Sequence, residues 1–297
     1  MKIIGISDIH GNLINIPKCD VLCIAGDVIN LKDQRDLIKS EYWWKTKFLT
    51  WVMKQPCDRV LVVPGNHDFY LEQLYKEDKW IEFCDYIAII TQGKLHFLID
   101  QSYKYKEISF YGTPWIHSII FQENKWAFEI KDYKEDNPYS RIPKCDILIT
   151  HDSPFENKQL NLNTKDKCRY HLFGHWHEGY YEPLKGKYNC SRLNDYYSFK
   201  KNFVYPTINI EPMEKTKYEI LQEFAEEIKE LTKPYFNALE AFADANAFTE
   251  FSSKVDELLV KFLDNPRDKE DEIPWNESSI IDDDFGTDEP NIDDEYK

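Results

Sequence analysis

Nowhere in the 297 residues does an apolar run approach the length of a membrane span. The N-terminus, MKIIGISDIH, has no basic region ahead of its first apolar segment and passes straight into a strand-like pattern, so neither a signal peptide nor an anchor is expected. A disulfide framework is missing too. The seven cysteines are odd in number, scattered and without a C-x-x-C pair, a pattern of reduced thiols in a cytoplasm. Positive charge is the third shortage: 37 Lys and Arg face 53 Asp and Glu, a formal net charge of −16. Such a chain repels a phosphate backbone unless a local basic patch offsets it, so nucleic acid is not the expected partner, although a small nucleotide is compatible. Internal repeats are absent.

What is present is a composition of 42% hydrophobic and 30% charged residues, rich in aromatics, which is that of a globular protein with a substantial core. Short β-rich runs recur through the first two hundred residues: KIIGIS (2–7), VLCIA (21–25), RVLVVP (59–64), ISFYG (108–112), DILIT (146–150) and YHLF (170–173). Several are almost continuously apolar, as strands covered on both faces are. Between the second and third, Leu37, Trp44, Phe48, Trp51 and Val52 fall at helical spacing, and a second helix is expected after Asp68 over FYLEQLYKEDKWIEFC. Strands alternating with helices predict an α/β domain over 1–211.

The character then changes. Leu221, Phe224, Ala225, Ile228 and Leu231 share one helical face, as do Phe251, Val255, Leu258, Leu259 and Phe262. A helical extension of two or three amphipathic helices is therefore expected over 212–265, packed on the α/β domain or on a protein partner. The remainder, 266–297, holds three basic and thirteen acidic residues from Arg267 onward, which is −10 of the total −16 and leaves −6 elsewhere. This tail is expected to be disordered, with autoinhibition or a basic partner as sharper roles. The oligomeric state is left open.

Five polar motifs each follow an apolar strand: SDIHGN (7–12), GDV (26–28), GNHD (65–68), THDSP (150–154) and GHWHEG (174–179). Ligands gather at the carboxyl ends of strands in α/β sheets, so the five can meet in one place. Singly they mean little. An Asp-x-His is ordinary turn material, and a lone His151 is a satisfied core histidine. Together they offer Asp8, His10, Asp27, Asn66, His67, Asp68, His151, His175 and His177, an oxygen-and-nitrogen set without thiolate that suits Mn²⁺, Fe, Zn²⁺ or Mg²⁺. Four of the ten glycines, Gly11, Gly26, Gly65 and Gly174, abut these motifs, as expected where backbone approaches a ligand closely. His175 and His177, two apart on a strand end, could share one ion or serve two.

The order D-x-H, G-D, G-N-H-D, H, G-H-x-H resembles the calcineurin-like metallophosphoesterase superfamily, and GTPWIH…KWAFEI (112–130), RIPKCDILITH (141–151) and GHWHEGYY (174–181) are similar to its metallophosphoesterase-domain-containing group, related to class III cyclic-nucleotide phosphodiesterases. The likeness covers about residues 2–211. It implies a four-layer sandwich of two mixed β-sheets flanked by helices, here with a C-terminal helical appendix and acidic tail. It implies two divalent metal ions, manganese preferred: one on Asp8, His10 and His177, the other on Asn66, His151 and His175, with Asp27 bridging. Two such cations, roughly 3.5–4 Å apart, make hydroxide available at neutral pH and neutralise the phosphoryl oxygens during in-line attack.

The resemblance gives catalytic roles to His67, as general acid, and to Asp68, as acceptor of its other N–H; a cap on the following helix is the alternative for Asp68. Asn66 and His117 are the candidate substrate-side residues, with an exposed polar residue as the first reading of His117 and substrate contact as the second. Asp152 departs from the family, where glycine is common, and is expected to tune the second metal or repel an anionic substrate. Trp115 is assigned to packing, His96 and His171 to structure, and Glu178 is not counted as a ligand. The expected activity is hydrolysis of a phosphodiester in a small nucleotide-like substrate. The alternatives are a phosphomonoesterase or protein phosphatase, and a phosphoesterase-fold interaction protein with weak catalysis.

Overall fold

The computed structural model describes residues 1–119, 126–177, 186–192 and 203–211, together with Ser253. The chain divides into two units, Met1–Pro212 and Met213–Lys297. Apart from Ser253, the expected helical extension lies outside the described residues, as do the acidic tail and Glu178.

Two parallel strands open the chain, β1 (Lys2–Ile6) and β2 (Val21–Ala25), and β2 is buried at every position. Next comes one helical stretch in three segments: α1 (Leu37–Tyr42), a π-helical segment Trp43–Phe48, and α2 (Leu49–Lys54). Asp36 caps its start by accepting from the Lys39 N–H at 3.1 Å, and the chain turns extended at Gln55, before Pro56. Strand β3 (Arg59–Val63) leads to α3 (Phe69–Lys76) and α4 (Trp80–Thr91). There follow β4 (Leu95–Phe97), β5 (Gln101–Tyr105), β6 (Ile108–Thr113), and the short β7 (Ile116–His117) and β8 (Glu129–Ile130). A 3-10 turn, Pro138–Arg141, precedes β9 (Cys145–Thr150), α5 (Lys158–Asn163), β10 (Cys168–Phe173), β11 (Lys187–Asn189) and β12 (Thr207–Asn209).

The strands form two five-stranded sheets, β12-β1-β2-β3-β4 and β11-β10-β9-β6-β5, and a pair β7-β8. Both large sheets are mixed, since β12 and β5 are antiparallel edges on otherwise parallel neighbours. Strand alternation divides the core. Ile4, Ile6, Leu22, Ile24, Val60 and Val62 face the helices, against Trp44, Phe48 and Trp51. Their neighbours Ile3, Val21, Cys23, Leu61 and Val63 face the second sheet, packing with Phe110, Ile147, Ile149 and Leu172. The far side of that sheet places Tyr111 and Leu148 under Tyr139, Ile142 and Leu160. Helix, sheet, sheet, helix: the four-layer sandwich expected from the sequence is the fold. The carboxyl ends of β1, β2, β3, β9 and β10 carry the five polar motifs. No helix among the described residues is long and apolar enough to cross a membrane.

Candidate metal centre

The site begins with unusual backbone. Asp8, His10, Asp27 and His175 all have positive φ, 52°, 41°, 54° and 63°. Left-handed geometry at non-glycine residues costs on the order of 1–3 kcal/mol each and persists only where its surroundings impose it. Here the loops impose it on each other. Asp8 donates its N–H to Gly26 O at 3.1 Å, His10 to Asp27 O at 3.0 Å, and Gly11 to Val28 O at 2.7 Å. Glycine is needed where these loops touch. A Cβ on Gly26 would stand 2.2 Å from His151 Nδ1, and one on Gly65 would stand 2.2 Å from the Asp27 amide nitrogen.

Two groups of candidate ligand atoms converge on this frame, and a third overlaps both. Those of Asp8, His10 and His177 lie within 4.8 Å of one another, as do those of Asp27, His151 and His175, and so do those of His10, Asp27 and His67. Asn66 joins the second group through Oδ1, 2.8 Å from His151 Nε2. His151 donates Nδ1–H to Ala25 O at 2.7 Å, which fixes the ring and leaves Nε2 for the site. The Asp27 carboxylate stands between the groups. Its Oδ1 is 3.3 Å from His151 Nε2, and its Oδ2 is 3.7 Å from His10 Nε2. His175 and His177 therefore belong to different groups, and Trp176 between them packs on Phe155, centroids 5.5 Å apart.

The electrostatics fit divalent cations. Burial alone would raise the carboxyl of Asp8, but the hydrogen bond and charge of His177 outweigh it and hold it below the ordinary range. Asp27 is likewise held well down against burial, by His151 and His67. Burial would lower His151, but the charge of Asp27 pushes it up to about 10. Two wholly buried carboxylates thus draw positive charge from imidazole protons, which is the charge a cation would supply. His10 and His175 are pushed down by burial to about 4, so they present the neutral lone pairs that metals take. With oxygen and nitrogen donors only, the set suits hard or borderline ions.

His67 sits beside these groups. It donates its backbone N–H to Asp27 Oδ1 at 2.9 Å, and its ring is 4.8 Å from that of His10 and 4.7 Å from that of Trp126. Its other ring nitrogen, Nδ1, meets Gln34 Oε1, not Asp68. That corrects the expectation for Asp68. Its buried carboxylate accepts from Gly65 N–H at 2.7 Å, Ile29 N–H at 3.0 Å and Val28 N–H at 3.2 Å, and it makes no side-chain cap on α3. Three backbone donors from two loops converge on it and turn it away from His67. Burial and the charge of Asp27 push it up to about 7. Gln34 was missed because it lies in an ordinary polar loop, LKDQRD, outside every strand-end motif.

The remaining expected residues are also placed. Trp115 donates Nε1–H to Asp100 at 2.8 Å and packs against Phe128, a packing role. His96 pairs with Gly93 O, and His171 with Thr150 Oγ1. Asp152 does not point its carboxylate at the ligand groups. It accepts from Asn157 Nδ2 at 2.7 Å, the backbone N–H of Ser153 and His117 at 2.8 Å each, and His117 Nδ1 at 3.0 Å. Burial would raise Asp152, but the His117 hydrogen bond carries it to about 2; the same bond raises His117.

Known proteins resemble this chain in sequence. A probable rhamnogalacturonate lyase C from Emericella nidulans is 24% identical over 194 residues, 61% of this chain and 17% of that protein. A UPF0046 protein from Caenorhabditis elegans is 27% identical over 206 residues, 60% of this chain and 69% of that one. Human metallophosphoesterase domain-containing protein 1 is 26% identical over 211 residues, 60% of this chain and 61% of that one. The chain thus spans less than two thirds of the first and third of these relatives. The solved structure of phosphopantetheinyl hydrolase from Mycobacterium tuberculosis matches with a TM-score of 0.45 at 14% identity, over 72% of this chain and 98% of that one. The family model for calcineurin-like phosphoesterases matches residues 1–179, the segment that holds every candidate ligand described above, and the chain belongs to that family.

Proposed function

We propose that the protein is a two-metal phosphodiesterase acting on a small, nucleotide-like substrate. Asp8, His10 and His177 would hold one divalent cation, and Asn66, His151 and His175 the other. The observation that carries the reading is the position of Asp27, whose two carboxylate oxygens face the two ligand groups separately. Cations held there, manganese first among Mn²⁺, Fe, Zn²⁺ and Mg²⁺, supply Lewis-acid charge to the phosphoryl oxygens and hydroxide at neutral pH.

The chain's own residues supply the rest. Gln34 Oε1 accepts Nδ1–H of the His67 ring, which leaves Nε2 on the Asp27 side, 3.7 Å from its carboxylate. In the imidazolium form Nε2–H would pass a proton to the leaving oxygen, and burial, which pushes this ring down, favours that release. Asp68 fixes the loops that carry Asp27 and Asn66, so it acts on the geometry of the site and not on the proton. The acidic charge of the chain supports a small anion over a polymer. Seven free thiols support a reducing cytoplasm.

The test is direct. Protein loaded with Mn²⁺ is incubated with 2′,3′- and 3′,5′-cyclic nucleotides and, separately, with a phosphomonoester. Turnover of a cyclic nucleotide is expected. Cleavage of the monoester with neither cyclic nucleotide touched would replace this reading with a phosphomonoesterase.

A further inference from the structure

His117 and Asp152 form a second pair at the edge of the site. The motif that ends β9 carries both: His151 enters the metal centre, and Asp152, its neighbour, turns the other way, wholly buried. There it accepts from both the backbone N–H of His117, at 2.8 Å, and its ring Nδ1, at 3.0 Å. A carboxylate only accepts, so Nδ1 carries the proton and the ring orientation is set. Asn157 Nδ2 and Ser153 N–H brace the carboxylate from other sides. The imidazole so held lies edge-on to the ring of His175, centroids 6.1 Å apart, and His175 lies 5.1 Å from His151. The His117 side chain is 35% exposed, whereas Asp152 is fully enclosed.

A buried carboxylate is an expensive tether, and the backbone N–H of His117, with Asn157, Ser153 and the Tyr139 hydroxyl, already ties down the two-residue strand without the ring. An asparagine or a backbone carbonyl would serve a tether at lower cost. The same arrangement is economical if the imidazole must be held at a fixed angle beside something that binds at the second ligand group. We infer that His117 is a substrate-contacting residue that grips the phosphoryl group on the side of Asn66, His151 and His175, through Nε2, and that Asp152 is the positioning residue that aims it. The inference rests on the phosphoesterase reading of the site and adds to it a specific contact to the phosphoryl oxygens.

The experiment uses the full chain loaded with Mn²⁺ and three variants, His117→Ala, His117→Asn and Asp152→Asn. Binding of inorganic phosphate is measured by calorimetry, and KM and kcat are measured on bis-p-nitrophenyl phosphate. Metal content and thermal midpoint are recorded for each protein. One hydrogen bond to a charged group is worth about tenfold or more in affinity. Phosphate binding should therefore weaken about tenfold in both His117 variants, with KM rising more than kcat falls. Asp152→Asn, which keeps an acceptor for Nδ1–H, should lie between those variants and the parent. Metal content should match the parent throughout.

Unchanged phosphate affinity and KM in a variant that keeps its metals would overturn the inference. So would loss of metal from the His117 variants, which would make the residue part of the metal frame. If His117→Ala folds poorly, the near-isosteric His117→Asn and Asp152→Asn decide by the same criteria. A parent protein that binds phosphate but hydrolyses no phosphoester overturns the phosphodiesterase reading alone, because the calorimetric comparison still reads the His117 contact.

Discussion

A methyl group on Gly65 would stand 2.2 Å from the Asp27 amide nitrogen and 2.3 Å from Asp27 Oδ1, closer than any real Cβ approaches backbone. Asp27 cannot retreat easily, since its own φ is already 54° and its carbonyl and side chain are both engaged, by His10 N–H and His67 N–H. The strain therefore falls on the carboxylate between the two ligand groups. Gly65→Ala is expected to lower the metal content of purified protein at both sites together, read as metal per chain by elemental analysis, while far-ultraviolet circular dichroism stays that of the parent. Two metals retained at parent affinity would mean that the Asp27 carboxylate does not link the groups. The same scale holds what sequence could not reveal. Asp68 follows His67 directly, which suggests a partnership, yet direction is decided by which donors converge, and three backbone N–H groups, Gly65 in its own loop and Val28 and Ile29 in another, outvote one neighbour. Asp152 is the parallel case. Its adjacency to His151 suggests an effect on the metal, whereas its donors are His117 on β7, Asn157 at the cap of α5, Ser153 and Tyr139.

At the scale of elements, the strands of the two sheet interiors were legible because burial on both faces demands continuous apolar sequence: VLCIA in β2 and RVLVV in β3 cannot be much else. Strand β5, QSYKY, was not legible, because an antiparallel edge exposes polar side chains and needs no apolar signal. Nor were β7 and β8, two residues each and too short to carry an alternating pattern; just before β8, Ala127 N–H reaches Asn66 O at 3.1 Å. The pairing of β9 with β10 carries a testable consequence. It sets Leu148 beside His171 and Thr150 beside Phe173, and it brings His171 Nε2 to Thr150 Oγ1 at 2.8 Å inside the sheet. Burial pushes His171 down to about 3 from its ordinary 6.5. The folded protein therefore keeps this ring neutral while the unfolded chain protonates it below about pH 6.5, so stability is lost as pH falls from there toward 3. Replacing it by His171→Gln should remove one proton from that linkage. The unfolding free energies of parent and variant, from urea titrations, should then converge by up to about 1.4 kcal/mol per pH unit below pH 6. Parallel pH profiles would mean that His171 is protonated in the folded state.

For the whole molecule, the decisive quantity is the charge enclosed by the fold. Asp8 and Asp27 are buried with their carboxyls held in the charged form, in a chain already at −16. Without a cation the compensation comes from protons, above all the one that Asp27 holds on His151, whose ring is pushed up to about 10. A divalent ion in the second group must displace that proton, so its binding releases a proton and weakens as the pH falls. Two consequences follow for the intact protein. Chelation should lower the thermal midpoint, because an ion present at 100 times its dissociation constant adds about 2.7 kcal/mol per site. Two sites then correspond to a shift on the order of 10 °C for a domain of this size. Calorimetric titration of Mn²⁺ at pH 7, in buffers of differing ionisation enthalpy, should also show protons leaving the protein as the ion binds, with an apparent affinity that rises with pH. Asp27→Ala should abolish both the stabilisation and the proton release, because it removes the charge that keeps His151 protonated and the oxygens that face both groups. A chelated protein with an unchanged midpoint, or ion binding with no proton release, would mean that the buried carboxylates are neutralised by the fold itself and that the site is not built around cations.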